Sequence, residues 1–303
     1  MIEIAVVGGG PAGLTAALYA ARAGRSVTVF EGNSFGGQIT QSPLVENYPG
    51  LANVSGMELG DRMYVQAEQA GATLSFSGVE AIQKSATGTF LLTTEDGIVE
   101  AQAVIYAAGA APRHLELPGE DALVGRGLSY CALCDGAFFA NQDVAVAGGG
   151  NTALEDALYL AERCRSVTLI HRRNTFRAES ALVERAKATG NLTIVTQAQI
   201  TALLSQDGNL TGLLLQKQDG TAKTLAVSGL FVAFGRIPDT APLSALAARD
   251  EQGYVLTDDQ MQTSTPGLFA AGDCRHKQIR QLTTAVSDGT VAAISACRYL
   301  GNR

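Results

Sequence analysis

The chain of 303 residues has no tryptophan, only 17% charged residues and only 3 histidines. It contains no uninterrupted apolar stretch of roughly 18 residues, which excludes a membrane-spanning helix. It opens Met1-Ile2-Glu3-Ile4 without a positively charged leader, and Gly8 to Gly10 and Pro11 interrupt the first apolar run. No secretory signal is therefore expected, and the expected location is the cytoplasm. Basic residues number 22 against 29 acidic, for a net charge of −7, with no run of five or more like charges. That balance argues against nucleic acid as a partner, because such a partner requires a basic face.

What remains is the composition of a globular protein long enough for two domains: 46% hydrophobic residues and 34 glycines. The glycines fall into a pattern that occurs twice. Ile2 to Val7 is an apolar run, followed by Gly8-Gly9-Gly10-Pro11-Ala12-Gly13, an Ala/Leu-rich stretch from Leu14 to Ala23, and a second apolar run from Val27 to Phe30 that ends at Glu31. Asp143 to Ala147, Gly148-Gly149-Gly150-Asn151-Thr152-Ala153, a helical stretch to about Arg163 and the run Val167 to Ile170 ending at His171 repeat the arrangement. Both units predict strand, glycine turn, helix and strand, and two such units imply two dinucleotide sites. Gly8 and Gly148 are read as permitting the tight turn, and Gly10 and Gly150 as letting backbone approach a pyrophosphate. Gly13 and Ala153 are read as letting helix pack on strand. The helix N-terminus supplies unpaired N–H groups to the phosphates.

The ends of the two units differ. Glu31 suits the hydroxyls of an adenosine ribose, so the first site reads as FAD or NAD. His171-Arg172-Arg173, with Arg177 four residues on, suits a 2′-phosphate, so the second reads as NADP, against the plainer reading of a solvated basic cluster.

Between the units lies Cys131-Ala132-Leu133-Cys134-Asp135-Gly136. A C-x-x-C is a redox dithiol, half of a zinc site or an inert pair. Zinc needs two further ligands at suitable spacing, whereas Cys164, Cys274 and Cys297 are isolated, so no metal site is expected. The redox reading is favoured, because a C-x-x-C lowers a thiol pKa and keeps a resolving sulfur at hand. Asp135 adjoins Cys134 and is a candidate for moving a proton, or simply a turn or cap residue.

Taken together, these stretches resemble the low-molecular-weight, NADPH-dependent thioredoxin reductases over nearly the whole chain. The resemblance is carried by the two glycine motifs, Gly36-Gly37-Gln38, Glu46-Asn47-Tyr48-Pro49-Gly50 and Cys131 to Gly136. It continues through His171-Arg172-Arg173-Asn174-Thr175-Phe176-Arg177-Ala178, Thr265 to Asp273, and Arg280-Gln281. It implies an FAD site that includes Gly37, Gln38, Asn47 and Asp273, with the stretch from Arg280 and Gln281 through Asp288 and Gly289 against the flavin. It also implies catalytic Cys131, Cys134 and Asp135, with Cys134 nearest the flavin, thioredoxin as the partner, and a homodimer. Two departures stand out: Leu133 where the family usually has threonine, and Asn174 where it often has aspartate.

The fold class expected is α/β, two Rossmann-like dinucleotide-binding domains with the second inserted into the first. The FAD domain is placed at 1–113 and 241–303, and the NADPH domain carrying the C-x-x-C at 114–240. Hinges are expected at Ala111-Pro112-Arg113-His114 and Arg236-Ile237-Pro238-Asp239. The function implied is passage of electrons from NADPH through FAD to the Cys131–Cys134 disulfide and on to thioredoxin, with a domain rotation. Alternatives are another donor, such as ferredoxin or a different nucleotide, another disulfide carrier, or a flavin-binding sensor without turnover.

Overall fold

A computed structural model of the chain describes residues 1–51 and 53–301. The chain divides into two compact units, Met1–Ala111 with Ile237–Arg303, and Pro112–Arg236. Expected boundaries at 113/114 and 240/241 thus move a few residues toward the N-terminus. The reason is local hydrogen bonding. Arg113 N–H donates to the Gly235 carbonyl within the inserted unit, while Asp239 N–H donates to the Gly109 carbonyl and Thr240 Oγ1 to the Gly253 carbonyl within the discontinuous one.

The discontinuous unit is built on a seven-stranded sheet ordered Thr73–Ser75, Val27–Phe30, Ile2–Val7, Gly97–Tyr106, Phe90–Thr94, Val79–Lys84, with Leu268–Ala270 also on Gly97–Tyr106. The strands nearest the first glycine turn run parallel, and the Phe90–Thr94 and Val79–Lys84 strands return antiparallel. Strand Ile2–Val7 is buried along Ile4 to Val7, as a parallel strand covered on both faces must be. Helix Pro11–Arg22 covers one face together with the C-terminal helix Leu282–Gly301. These two helices meet through small residues: a Cβ at Gly289 would overlap the Ala12 carbonyl, and Ala16, Ala292, Ala293 and Ala296 are fully buried. The last segment of the chain therefore completes the first βαβ core, and its apolar cluster includes residues of both segments, Ile4 and Phe269 among them.

The inserted unit has a five-stranded parallel sheet ordered Leu192–Thr196, Ser166–His171, Asp143–Gly148, Gly229–Ala233, Leu128–Ser129. An antiparallel three-stranded sheet, Ala198–Gln206, Asn209–Lys217 and Ala222–Ala226, adds to it. Helix Asn151–Ala161 buries Ala153, Leu154, Ala157 and Leu160, the i, i+1, i+4, i+7 stripe that a helix presents to a sheet. No helix among the described residues is long and apolar enough to cross a membrane.

Candidate redox and nucleotide sites

In the discontinuous unit the first glycine turn follows strand Ile2–Val7 directly. Gly8 has φ +104°, a conformation open to glycine, and a Cβ there would overlap the Ala107 carbonyl. A Cβ at Gly13 would overlap the Gly8 carbonyl, so the helix can lie this close to the turn only with glycine. Helix Pro11–Arg22 has Gly10 at its N-cap and no side-chain cap, leaving its first N–H groups for a ligand. Gly37, at φ +60°, brings its backbone against Gly10. Glu31 accepts from Gly9 N–H at 2.7 Å and from Asn33 N–H at 2.8 Å. Its carboxylate thus braces the glycine turn as well as facing the place where a ribose is expected.

The remaining residues expected at this site come from distant segments. Gln38 Nε2 donates to the Ala110 carbonyl at 2.7 Å, and Asn47 Nδ2 reaches Gln281 Oε1 at 3.4 Å. The Arg280 guanidinium lies 4.1 Å over the Tyr254 ring, and its Nε is 3.5 Å from the Asp273 carbonyl. Asp273 Oδ1 is buried without a hydrogen bond, 3.4 Å from Lys277 Nζ. A buried carboxylate oxygen short of a donor is the kind of atom a bound polyol or phosphate-linked group satisfies. Asp288 is differently employed: it accepts from Gly272 N–H at 3.0 Å, from Arg275 Nε at 2.9 Å and from Lys277 Nζ at 3.0 Å. Although burial works against its charge, those cations hold its carboxyl below the usual range. Cys274 is fully buried, its thiol pushed up to about 12 by burial, and it lacks thiolate character.

In the inserted unit the second glycine turn is built differently. Gly148 is not left-handed; it is glycine because a Cβ would lie 2.6 Å from the Ala153 Cβ and 2.7 Å from the Ala233 carbonyl. Gly150 faces open space at the N-cap of helix Asn151–Ala161, which again has no side-chain cap. Thr152 is exposed in the first turn, and the Asn151 side chain is bonded both ways to Glu179, at 2.9 and 3.2 Å. His171 is buried and turned toward the glycine turn, where a Cβ at Gly149 would overlap its ring. Its Nε2 meets the Thr175 carbonyl at 3.1 Å, and it stacks on Phe176 at 5.0 Å. Arg177 N–H donates to the Gly149 carbonyl at 2.9 Å, folding the basic loop back over the turn. Arg172, Arg173 and Arg177 are exposed, and among the described residues no carboxylate pairs with them.

Cys131 and Cys134 form a disulfide with their Cα atoms 5.3 Å apart. Cys131 caps the short helix Ala132–Asp135, its sulfur accepting from Cys134 N–H at 3.2 Å. Cys134 is exposed, and Leu133 beside it is 53% exposed. Asp135 points inward: burial pushes its carboxyl up, opposed by a 2.6 Å hydrogen bond from Ser129 Oγ. Ser129 was not legible as a site residue, for nothing in sequence links a strand-end serine to an aspartate six residues on. The same holds for Glu120, buried beside the entry to this loop. It accepts from Leu115 N–H and Glu116 N–H, each at 2.8 Å, and from Tyr130 Oη at 2.6 Å, and Tyr130 Oη lies 2.8 Å from His114 Nδ1. Burial raises the Glu120 carboxyl, but these donors outweigh it and the net direction is downward. The residue before Cys131 is thereby tied to a buried carboxylate.

Residues 2–289 match the pyridine nucleotide-disulphide oxidoreductase family. The chain is 43% identical over 304 residues to a thioredoxin reductase of Mycolicibacterium smegmatis, covering 99% of this chain and 97% of the relative. It is 44% identical to a bifunctional thioredoxin reductase/thioredoxin of Mycobacterium leprae, covering 98% of this chain and 66% of that longer protein. Among solved structures, a thioredoxin reductase from Streptococcus pyogenes superposes with a TM-score of 0.96 at 39% identity, over 100% of this chain and 99% of that one. With two glycine turns, a dithiol pair and this likeness over its length, the chain belongs to the pyridine nucleotide-disulphide oxidoreductase family.

Proposed function

We propose that the chain is a thioredoxin-disulfide reductase that takes electrons from NADPH. The observation that carries this reading is the Cys131–Cys134 disulfide, placed in the same compact unit as a glycine turn overhung by the exposed Arg172, Arg173 and Arg177. FAD, when bound, supplies the two-electron carrier between nicotinamide and disulfide. Gly8, Gly10, Gly13, Glu31, Gly37, Gln38, Asn47, Asp273, Arg280 and Gln281 hold it. Gly148, Gly150, Asn151, Thr152 and Ala153 take the pyrophosphate of NADPH, and Arg172, Arg173 and Arg177 its 2′-phosphate, with His171 as the buried floor of that loop. Cys131 and Cys134 carry the electron pair as a dithiol, and Asp135 holds the proton that one sulfur needs when the bond breaks. Nicotinamide and disulfide both ride on the inserted unit and serve one flavin, so they take turns; the motion is placed at residues 111–114 and 236–239. The same reading makes the enzyme a cytoplasmic homodimer with thioredoxin as its protein substrate.

Anaerobic titration tests it. NADPH should bleach the flavin, and oxidised thioredoxin should restore the colour in the parent but not in Cys131→Ser. No bleaching by NADPH would point to ferredoxin or another donor. Bleaching without reoxidation by thioredoxin would leave another disulfide carrier as the substrate.

A further inference from the structure

We propose that Ser129 is a positioning residue for the Asp135 carboxyl, its hydroxyl serving as hydrogen-bond partner in both protonation states. This rests on the reading of Asp135 as the proton donor to the cysteine pair.

Ser129 ends the short strand Leu128–Ser129, whose pairing with strand Gly229–Ala233 fixes its backbone, and its side chain is buried. Three groups converge on its hydroxyl. Cys131 N–H donates to Oγ at 3.0 Å, Asp135 Oδ2 lies at 2.6 Å and the Cys131 carbonyl at 3.4 Å. The amide can only donate and the carbonyl can only accept, so the amide holds one lone pair of Oγ permanently. The hydroxyl proton is left with two acceptors. With Asp135 ionised, that proton goes to the carboxylate, the shorter and charge-assisted bond. With Asp135 protonated, the carboxyl proton goes to the second lone pair of Oγ, and the hydroxyl proton turns to the Cys131 carbonyl. The carboxyl therefore changes its charge without losing its partner or moving.

That exchange matches what the disulfide requires. The electron pair that NADPH supplies through the bound flavin in the proposed reaction breaks the S–S bond and leaves two sulfur anions. The Asp135 proton passes to one of them, giving one thiol, one thiolate and an Asp135 carboxylate, so atoms and charge balance. Burial favours the protonated acid, and Ser129 opposes burial. The turn Gly136–Phe139 has no titratable side chain, and the titratable groups of helix Asn151–Ala161, packed on this segment, are Glu155, Asp156 and Tyr159, with the Asp156 carboxyl itself pushed up to about 7 by burial. After reduction, the Cys131 and Cys134 sulfurs are the remaining titrating groups of the loop.

The test is an infrared pH titration of the flavin-loaded enzyme, with the Asp135 carboxyl band identified by its disappearance in Asp135→Asn. Ser129→Ala should raise the midpoint of that band by about one pH unit, because it removes a hydrogen bond to the charged form. Ser129→Thr, which keeps the hydroxyl, should return it toward the parent. In single-turnover reduction of the Cys131–Cys134 disulfide by NADPH, the limb of the pH–rate profile assigned to Asp135 should move the same way in Ser129→Ala, and Asp135→Asn should lack that limb. A band midpoint in Ser129→Ala that superimposes on the parent overturns the proposal. If instead the band moves while Asp135→Asn keeps the parent pH–rate profile, Ser129 holds the carboxyl but Asp135 is not the proton donor, and the functional reading fails separately. Should Ser129→Ala not fold, Ser129→Cys, of similar size and with a weaker donor and acceptor, is measured by the same band.

Discussion

An alanine at position 149 would place its Cβ within the His171 ring, and that ring has nowhere to go: it is buried, stacked on Phe176 and bonded to the Thr175 carbonyl. Gly149→Ala should therefore cost about 2 kcal/mol of stability by overpacking. It should also weaken NADPH binding more than a stability loss alone explains, since the displaced ring carries the basic loop with it. Thermal unfolding and nucleotide titration check this; unchanged affinity would show that the loop does not depend on the ring. The position also shows what a motif conceals. The glycine spacing announced a turn in both units, but not that Gly8 is required both by its positive φ and by the Ala107 carbonyl, whereas Gly148 is required only by its neighbours Ala153 and Ala233. Nor did His171 reveal itself as an inward wedge beside three outward arginines, because side-chain direction at a strand end depends on packing outside the motif.

Helix Leu282–Gly301 is held to the turn at Gly272–Cys274 by one carboxylate. Asp288 and Lys277 are nearly excluded from water, their side chains 7% and 8% exposed, and Arg275 completes the group. Removing the anion leaves Arg275 without its ion pair and Lys277 with only Asp273 at 3.4 Å, so Asp288→Asn should cost about 3 kcal/mol at neutral pH. The sign of its pH dependence follows from the depressed carboxyl. Its contribution is present above the ordinary aspartate range and is lost as pH falls through the lower, folded-state value. The gap in stability between parent and Asp288→Asn should thus be widest near neutrality and close in acid; a gap independent of pH would mean the loss comes from packing. Elements of this kind divide into those written locally and those that are not. Both βαβ units were legible because glycine spacing and apolar runs lie within some thirty residues. The two-residue strand Leu128–Ser129 was not, since a strand so short exists only by its pairing. Asp288 was visible through resemblance as a residue near the flavin, while its ion pairs, 11 and 13 residues back along the chain, left no local sign.

The insertion of one unit into the other has a consequence for the molecule as a whole. Residues Pro112–Arg236 are contiguous, and their apolar clusters draw only on that segment, from Leu123 and Leu128 to Phe231 and Val232. The discontinuous unit has no such independence, since its first helix packs on a helix that arrives at residue 282. A segment with its own core is expected to fold alone. Excised 112–236 should unfold in one cooperative transition without flavin and should bind 2′,5′-ADP through the basic loop. Replacing Arg172 and Arg173 by glutamine should weaken 2′,5′-ADP roughly a hundredfold, two charge-assisted contacts at about 1.5 kcal/mol each. ADP, which lacks the 2′-phosphate, should bind both forms alike. Equal losses for both ligands would move the arginines from the 2′-phosphate to the 5′-phosphate that the two ligands share and remove the argument for NADPH over NADH. A non-cooperative transition would mean that the inserted unit borrows its order from the rest of the chain, and that the two units, though separate in their cores, are one in stability.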